Sequence, residues 1–187
     1  MVDDDRVRKT VRELGNHLLA FAAEGTDSSS TKKLLRGIKA AHRIFVYAAG
    51  RSGMIGRCFA QRLMHIGLEA YFIGETLTPS LSQDDLLITI SGSGITTSTL
   101  AIAKRAKELG AKVVAITAHP ESRLGKLASI VVPIKGKTKL MEFTSYAPFT
   151  SQFDVTALSY LDGVVSQLMA DLAVSEKAIE DRHATVE

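Results

Sequence analysis

The chain has 187 residues, 45% of them hydrophobic, which predicts one folded domain and excludes a chain that is disordered as a whole. Its formal net charge is only +3, and no basic cluster contains interleaved aromatics, so nucleic-acid binding is not indicated. One cysteine excludes an intrachain disulfide framework, while the acidic start and the absence of a long apolar run argue against a signal peptide or membrane span and predict a soluble cytoplasmic protein.

Two helices are predicted ahead of the first strand. Residues 3–21 repeat apolar side chains at helical spacing, on one stripe formed by Val7, Val11, Leu14, Leu18 and Phe21. A polar break at residues 25–30 precedes a shorter helix over residues 31–41. We expect residues 3–41 to pack on the main domain or on a partner subunit, and the pattern leaves both arrangements open.

The middle of the chain alternates short apolar strands with helices. Strands are predicted over residues 43–48, 70–73, 86–90, 113–116 and 130–134. The third, LLITI, is apolar at almost every position, which is typical of a parallel strand buried on both faces. The alternation predicts an α/β fold with a five-stranded, parallel, doubly wound sheet.

The last part of the chain is predicted to be mostly helical. A long helix over residues 155–172 places Leu158, Leu161, Val165 and Leu168 on one face. Ser175 is expected to cap a short helix that ends near Asp181, and residues 182–187 form a tail. We interpret residues 1–187 as a single domain, with residues 153–187 packing on it or on a partner subunit.

A Ser/Gly loop follows the third strand and passes into a helix. In Ser91-Gly92-Ser93-Gly94 the glycines let backbone N–H groups turn toward a ligand, and the serines add hydroxyl donors. The helix N-terminus adds a partial positive charge. Such a loop suits a phosphate group, although a solvated turn of common loop residues is the alternative.

A second loop of the same kind follows the first strand, with the sequence Gly50-Arg51-Ser52-Gly53. Both loops lie at the carboxyl edge of the predicted sheet, where they can hold one phosphorylated small molecule between them. Gly50, Gly53 and Gly56 approach a dinucleotide fingerprint, but that pattern also needs Gly where Ala48 stands. No Walker loop occurs.

Five stretches match motifs of a known family: AGRSGMIGRCFAQRLMHIG at residues 49–67, FIGETLTPSLSQDDLLITISGSGITTS at residues 72–98, TAHPESRLGKLAS at residues 117–129, YLDGVVSQLM at residues 160–169 and RHATVE at residues 182–187. On these stretches the chain resembles the sugar isomerase (SIS) domain family and, within it, the 6-phospho-3-hexuloisomerases. The match runs almost end to end. SGSG marks the wide superfamily, whereas GET-x-TP together with the RHA-x-x-E ending is more specific.

The resemblance implies an isomerase that interconverts 3-hexulose 6-phosphate and fructose 6-phosphate, a reaction of the ribulose monophosphate pathway of formaldehyde fixation. It implies a flavodoxin-like sheet, no cofactor and no metal, and a homo-oligomer, usually a tetramer, with sites shared between subunits. By position, the phosphate ligands would be Ser52, Ser91, Ser93 and Thr96. Arg51 would line the sugar pocket, and His183 would serve proton transfer or ring opening. Neither a nucleic acid nor a membrane is expected as a partner.

Moving a ketone from C3 to C2 requires a general base and a proton donor. The family usually has Glu after SGSG, where this chain has Ile95, and a later Glu where it has Asp154. Glu75, Asp154 and His183 are therefore the candidate catalytic groups. Each has a plain alternative: Glu75 as a surface or capping acid, Asp154 as a first-turn helix acid, His183 as a solvated tail residue. Arg51 could likewise be a surface residue.

A second function remains open from the sequence. SIS domains also act as non-catalytic sugar-phosphate sensors in transcription regulators, and the missing acid at Ile95 would fit a sensor. Such regulators carry an N-terminal helix-turn-helix domain, for which the residues before Arg43 are too few. The RHATVE ending favours the enzyme. An SIS isomerase for another phosphosugar is a further alternative.

Overall fold

The computed structural model describes residues 4–24, 27–141 and 144–185. In these residues the strands are β1 (Ile44–Ala48), β2 (Ala70–Phe72), β3 (Leu86–Ile90), β4 (Lys112–Thr117) and β5 (Ile130–Pro133). The helices are α1 (Asp4–Glu24), α2 (Ser28–Ala40), α3 (Gly50–His65), α4 (Thr97–Glu108), α5 (Arg123–Leu127), α6 (Ser151–Leu172) and α7 (Glu176–Glu180).

The strands form one parallel sheet in the order β2-β1-β3-β4-β5. This is the flavodoxin-like order, in which the chain direction across the sheet reverses between β1 and β3. The register pairs Ala48 with Ile90 and Ile90 with Ile116, so β1, β3 and β4 end close to one level. The predicted fold class is confirmed, and the loops after these strands emerge side by side.

Two apolar clusters cover the two faces of the sheet. Phe45 and Leu87 belong to the cluster beneath α4 and α5, whereas the next residues along each strand, Val46 and Ile88, belong to the cluster beneath α2, α3 and α6. This alternation follows from the period of two in a strand. Since every residue of β3 is buried, its uniform apolar sequence is explained by helices on both faces.

The helix boundaries differ from the predicted ones for local reasons. α2 begins before the predicted residue 31 because the Asp27 side chain accepts hydrogen bonds from the N–H groups of Ser29 and Ser30. α6 begins at Ser151 rather than residue 155, and the short helix α5 was not predicted. Ser175 caps α7 as expected, by accepting from Ala178 N.

The predicted stripe on α1 is only half right. Leu14, Leu18 and Phe21 are partly buried, but Val7 and Val11 are 57% and 65% exposed. The helix lies against α6, and its first turns contact Tyr146: Arg6 and Lys9 lie over the Tyr146 ring, and the Thr10 hydroxyl donates to the Tyr146 carbonyl oxygen at 3.2 Å. Five of the residues in the predicted terminal segments and polar break lie outside the described part of the chain: Asp3, Gly25, Thr26, Val186 and Glu187.

One buried ion pair joins the amino-terminal ends of β1 and β3. Asp85 is 2% exposed and accepts from Arg43 Nε at 3.1 Å and from Arg43 Nη2 at 2.8 Å. It also accepts from the Ser82 backbone N–H at 2.7 Å. Burial alone would raise the pKa of this carboxyl, but the bonds from Arg43 and Ser82 outweigh it, so the pKa lies below its ordinary value.

We predict that Asp85→Asn lowers the free energy of unfolding by about 2–3 kcal/mol at neutral pH, because Arg43 loses its buried partner. Asp84→Asn removes a neighbouring exposed acid and should change stability by less than about 0.5 kcal/mol. A carboxyl with a lowered folded pKa stabilises above its unfolded pKa of about 3.9 and ceases to do so as the pH falls through the folded value. Urea titrations should therefore show the free energies of unfolding of the wild type and of Asp85→Asn converging below about pH 4. A constant difference between these two proteins down to about pH 2 would contradict this role.

Candidate active site

The loops that carry the Ser/Gly motifs meet at the carboxyl ends of β1 and β3. Ser52 lies in the first turn of α3, directly after β1. Ser91 and Ser93 follow β3, and Thr96 precedes the first residue of α4. The reversal of strand order between β1 and β3 opens a crevice at this point, as it does in other open parallel sheets.

A cavity of about 190 Å³ occupies this crevice. Ser52, Ser91, Ser93 and Thr96 all line it, so the structure brings together the residues that the sequence suggested for the phosphate. Ser91 and Ser93 are buried, and the Ser91 and Thr96 hydroxyl oxygens are 3.2 Å apart. These four hydroxyl groups can donate to the oxygens of one anion.

The two helices that begin at the cavity leave backbone donors available for an anion. In α3 and α4 the residues at the N-cap, Ala49 and Thr96, form no side-chain capping bond. The first N–H groups of a helix have no partner within the helix, and the helix dipole places partial positive charge there. Two uncapped N-termini at one cavity of hydroxyl groups make an anion site.

Close packing requires the glycines of the Ser91-Gly92-Ser93-Gly94 loop. Gly94 has φ +62°, and a Cβ atom on it would lie 1.9 Å from Ser122 Oγ. A Cβ on Gly92 would lie 3.0 Å from the ring of Phe153. The loop is thus held between the segment after β4 and the first turn of α6, which fixes the direction of its serine hydroxyls.

Three lining residues were missed by the sequence analysis: Lys139, Phe149 and Thr150. They come from the segment between β5 and α6, where the sequence shows no regular period and the run Lys135, Lys137, Lys139 reads as plain exposed lysines. Phe149 is a non-glycine residue at φ +42°, a backbone strain that proteins often carry near functional sites. Neither the strain nor the fold-back of the segment has a signal in the sequence.

Arg51 connects this cavity to a second one. Its Nε donates to Asp154 Oδ2 at 2.8 Å, and the Thr150 hydroxyl donates to the same oxygen at 2.9 Å. Asp154 is buried, and its Oδ1 has no hydrogen-bond partner in the described part of the chain. Arg51 and Asp154 also line a neighbouring cavity of about 200 Å³, together with the exposed Met54.

Glu75 lies outside both cavities. It follows β2 at the edge of the sheet, is exposed, and accepts from Arg57 Nε at 3.0 Å. Arg57 in turn lies over the Phe72 ring, 4.1 Å from its centroid. Within one subunit Glu75 is therefore held at the surface of α3, and its assignment as a catalytic group stays a prediction.

The tail places His183 at the opposite end of α3 from the cavity. The His183 ring lies 5.3 Å from the His65 ring, and Arg182 Nη1 donates to the His65 carbonyl oxygen at 3.4 Å. Helical rise is about 1.5 Å per residue, so roughly 20 Å of helix separate Ser52 from His65. In its own subunit His183 cannot reach the cavity, and its catalytic role stays a prediction.

The described residues contain no group of three or more His, Cys, Asp or Glu side chains placed to hold a metal ion. In the same residues, no helix combines the length and apolarity that crossing a membrane demands.

Comparison with known proteins agrees with this geometry. A family model for the SIS domain matches residues 37–160, which include both Ser/Gly loops and the first turns of α6. The chain belongs to the SIS domain family.

This SIS domain protein is similar over most of its length to proteins named 3-hexulose-6-phosphate isomerase. One from Methanocaldococcus jannaschii is 42% identical over 153 residues, which are 82% of each chain. One from Bacillus subtilis is 36% identical over 190 residues and covers both chains completely. The resemblance to 6-phospho-3-hexuloisomerases is thereby confirmed.

A solved structure gives the same result for the fold. A crystal structure from Methanococcus jannaschii, for which the function of a 3-hexulose-6-phosphate isomerase has been inferred, superposes with a TM-score of 0.82. It is 37% identical in sequence and covers 95% of this chain and 98% of its own.

The double variant Ser91→Ala, Ser93→Ala should bind fructose 6-phosphate more weakly by roughly 2–4 kcal/mol, since each charge-assisted hydrogen bond contributes about 1–2 kcal/mol. Titration calorimetry measures the loss directly. Ser129→Ala, an exposed serine between α5 and β5 that does not line this cavity, is the matched control and should bind as the wild type does. Unchanged affinity in the double variant would remove the loop from the site.

Proposed function

We propose that the protein interconverts 3-hexulose 6-phosphate and fructose 6-phosphate through an enediolate. The observation that carries the proposal is the cavity at the β1/β3 crevice, where four hydroxyl groups and two uncapped helix N-termini form a site for a phosphate group. Relatives named 3-hexulose-6-phosphate isomerase support this substrate over other phosphosugars.

The phosphate would anchor the substrate, and the sugar would extend toward Arg51. Binding of a remote phosphate orients the carbon chain and provides binding energy that does not depend on the reacting atoms. Because Arg51 borders both cavities, its guanidinium is placed between the phosphate site and the site of Asp154. A guanidinium at this position can hydrogen-bond to the enediolate oxygens as negative charge develops.

Proton transfer requires a base, and we assign this role first to Asp154. It is buried, it lines the second cavity, and its Oδ1 has no partner among the described residues. The bonds from Arg51 and Thr150 to Oδ2 fix the plane of the carboxylate, whereas Oδ1 is enclosed by its own subunit and would have to be uncovered before it could accept a proton from the substrate. Glu75 and His183 would act from a neighbouring subunit, because neither lies at the cavities of its own chain.

We further propose a homo-oligomer, a tetramer, with sites completed across subunits. Apolar surface favours such an assembly: α1, α2 and α6 border an open, mostly apolar groove of about 1330 Å³, and Val7, Val11 and Leu77 are exposed. A partner subunit would cover these surfaces and bring its tail to the second cavity. The single Cys58 fits a cytoplasmic location, and the family places the reaction in the ribulose monophosphate pathway.

A non-catalytic sugar-phosphate sensor is the second candidate, favoured by Ile95. This residue stands where the family usually has Glu and is 37% exposed beside the phosphate loop. The retained carboxylate at Asp154, held by Arg51 with one oxygen unpaired, favours the enzyme, because a sensor has no need of a buried base.

Deuterium exchange distinguishes these functions. In D2O the protein should introduce deuterium at C3 of fructose 6-phosphate, because isomerisation to the 3-hexulose removes the proton next to the C2 ketone on that side. Nuclear magnetic resonance of the recovered sugar identifies the labelled carbon. Deuterium at C1 would instead indicate an aldose–ketose isomerase, and binding without exchange would indicate a sensor. The Ser91→Ala, Ser93→Ala variant controls for a contaminating isomerase.

Mixing two impaired variants tests whether the site is shared between subunits. His183→Ala should lower turnover by about 10²–10⁴-fold, the usual contribution of a proton-transfer group. Co-refolding it with the Ser91→Ala, Ser93→Ala variant should restore part of the activity, since mixed oligomers contain sites with one intact half from each chain. Activity equal to the sum of the separate variants would contradict sharing, as would a monomer mass in light scattering.

A further inference from the structure

The cavity contains a lysine that neither the family motifs nor the mechanism above uses. Of the three alternate lysines in the segment after β5, Lys139 lines the cavity, whereas Lys135 and Lys137 do not. Arg51 is the other cation in the lining, and its Nε is bonded to Asp154. The described residues that line the cavity include no carboxylate, so the charge of Lys139 is not neutralised there.

The backbone on both sides of Lys139 is fixed by side chains from elsewhere in the fold. Before it, the Lys137 N–H donates to Gln152 Oε1 at 3.2 Å. Thr138 is buried, its hydroxyl oxygen lies 2.8 Å from His119 Nε2, and the same oxygen accepts from the Leu140 N–H at 3.3 Å. A long, flexible side chain is thus attached to a backbone that hydrogen bonds hold beside the cavity.

Glu13 of α1 holds these anchors in turn. Its Oε1 accepts from Gln152 Nε2 at 2.8 Å, and its Oε2 accepts from the Tyr146 N–H at 2.7 Å. The Ser145 hydroxyl donates to Oε1 as well. Several hydrogen bonds keep the pKa of Glu13 below its ordinary value, and the one from Ser145 has the largest effect. The carboxylate is therefore charged at neutral pH.

We propose that Lys139 is a phosphate ligand of the site, and that Glu13 is a positioning residue that holds it there through Gln152. The inference rests on the proposed function only in taking the cavity to bind a sugar phosphate. A phosphate monoester carries about −1.5 to −2 charges at pH 7, while the serine hydroxyls and helix termini supply only dipoles and partial charges. Lys139 provides a full positive charge on a chain long enough to close over the bound group.

The first test measures binding, not turnover. Lys139→Gln should raise the Kd for fructose 6-phosphate and for inorganic phosphate by about 10–100-fold, the range for one hydrogen bond to a charged group. Lys135→Gln is the matched control: it removes an equal charge from the same segment, at the surface ion pair with Glu24, and should leave the Kd within about twofold.

The pH dependence of the same titration separates a direct ligand from a general charge effect. The second ionisation of a phosphate monoester has a pKa of about 6, so wild-type affinity should rise between pH 5 and pH 7 as the dianion forms. In Lys139→Gln this rise should be smaller. An unchanged Kd, an unchanged pH profile, or an equal loss in Lys135→Gln would each overturn the assignment of Lys139.

The second test concerns Glu13. Glu13→Gln should raise KM several-fold with kcat nearly unchanged, because it loosens the lysine and leaves Asp154 and Arg51 in place. Glu24→Gln, on the same helix and paired to an exposed lysine, should change neither constant. The double variant Glu13→Gln, Lys139→Gln should bind no more weakly than Lys139→Gln alone. If the losses of affinity in the two single variants multiply in the double variant, Glu13 does not act through Lys139.

The outcomes of the Lys139 binding tests are independent of the outcome of the deuterium-exchange test of the proposed function. Wild-type protein that binds fructose 6-phosphate but introduces no deuterium leaves the Lys139 assignment standing and overturns the isomerase. Exchange at C3 together with unchanged binding by Lys139→Gln leaves the isomerase standing and overturns the assignment. Thermal unfolding followed by circular dichroism verifies that every variant is folded.

Discussion

The common level at which β1, β3 and β4 end is the constraint on which the site depends. Parallel pairing of Ala48 with Ile90 and of Ile90 with Ile116 brings three loops out of the sheet side by side. Ser91 N–H continues the ladder by donating to the Ile116 carbonyl at 3.0 Å. The loop at residues 91–94 therefore begins as an extension of the sheet. Its serine hydroxyls are held firmly, because the strand that it continues is buried on both faces.

The other wall of the site is held by different forces. The described residues between β5 and α6 contribute few side chains to the core, and they are fixed mainly by hydrogen bonds to Glu13, His119 and Gln152. A hydrogen bond contributes about 0.5–1.5 kcal/mol net, far less than the burial of the strands. These residues are therefore held less strongly than the sheet and the loop at residues 91–94 that continues it.

The sequence predicts the parts of the molecule that depend on local pattern. LLITI requires cover on both faces, and the Ser/Gly loops require close backbone approach, so the sheet, its order of elements and the meeting of the two loops at its carboxyl edge follow from the residues themselves. The lining by Lys139 and Phe149 does not follow, because it arises from a segment without periodicity that folds back through long-range hydrogen bonds. The same limit applies to α1: its stripe predicts a helix, but spacing cannot tell that Val7 and Val11 are exposed while Leu14 and Leu18 are partly buried.

Ile95 and Asp154 stand where the family usually has Glu, so few carboxylates remain as candidates for the general base. With Ile95 beside the serine loop, Asp154 is a carboxylate joined to the cavity lining, through its hydrogen bonds with Arg51 and Thr150. Asp is one methylene shorter than Glu, so its oxygens stay close to α6. The Arg51 side chain is 71% exposed and lies next to the exposed Met54. In the proposed function, one subunit supplies the phosphate site, Arg51 and a base, and a partner subunit covers this surface. The exposed half of the second cavity is the place where a neighbouring chain must contribute if the sugar is to be shielded from water during proton transfer.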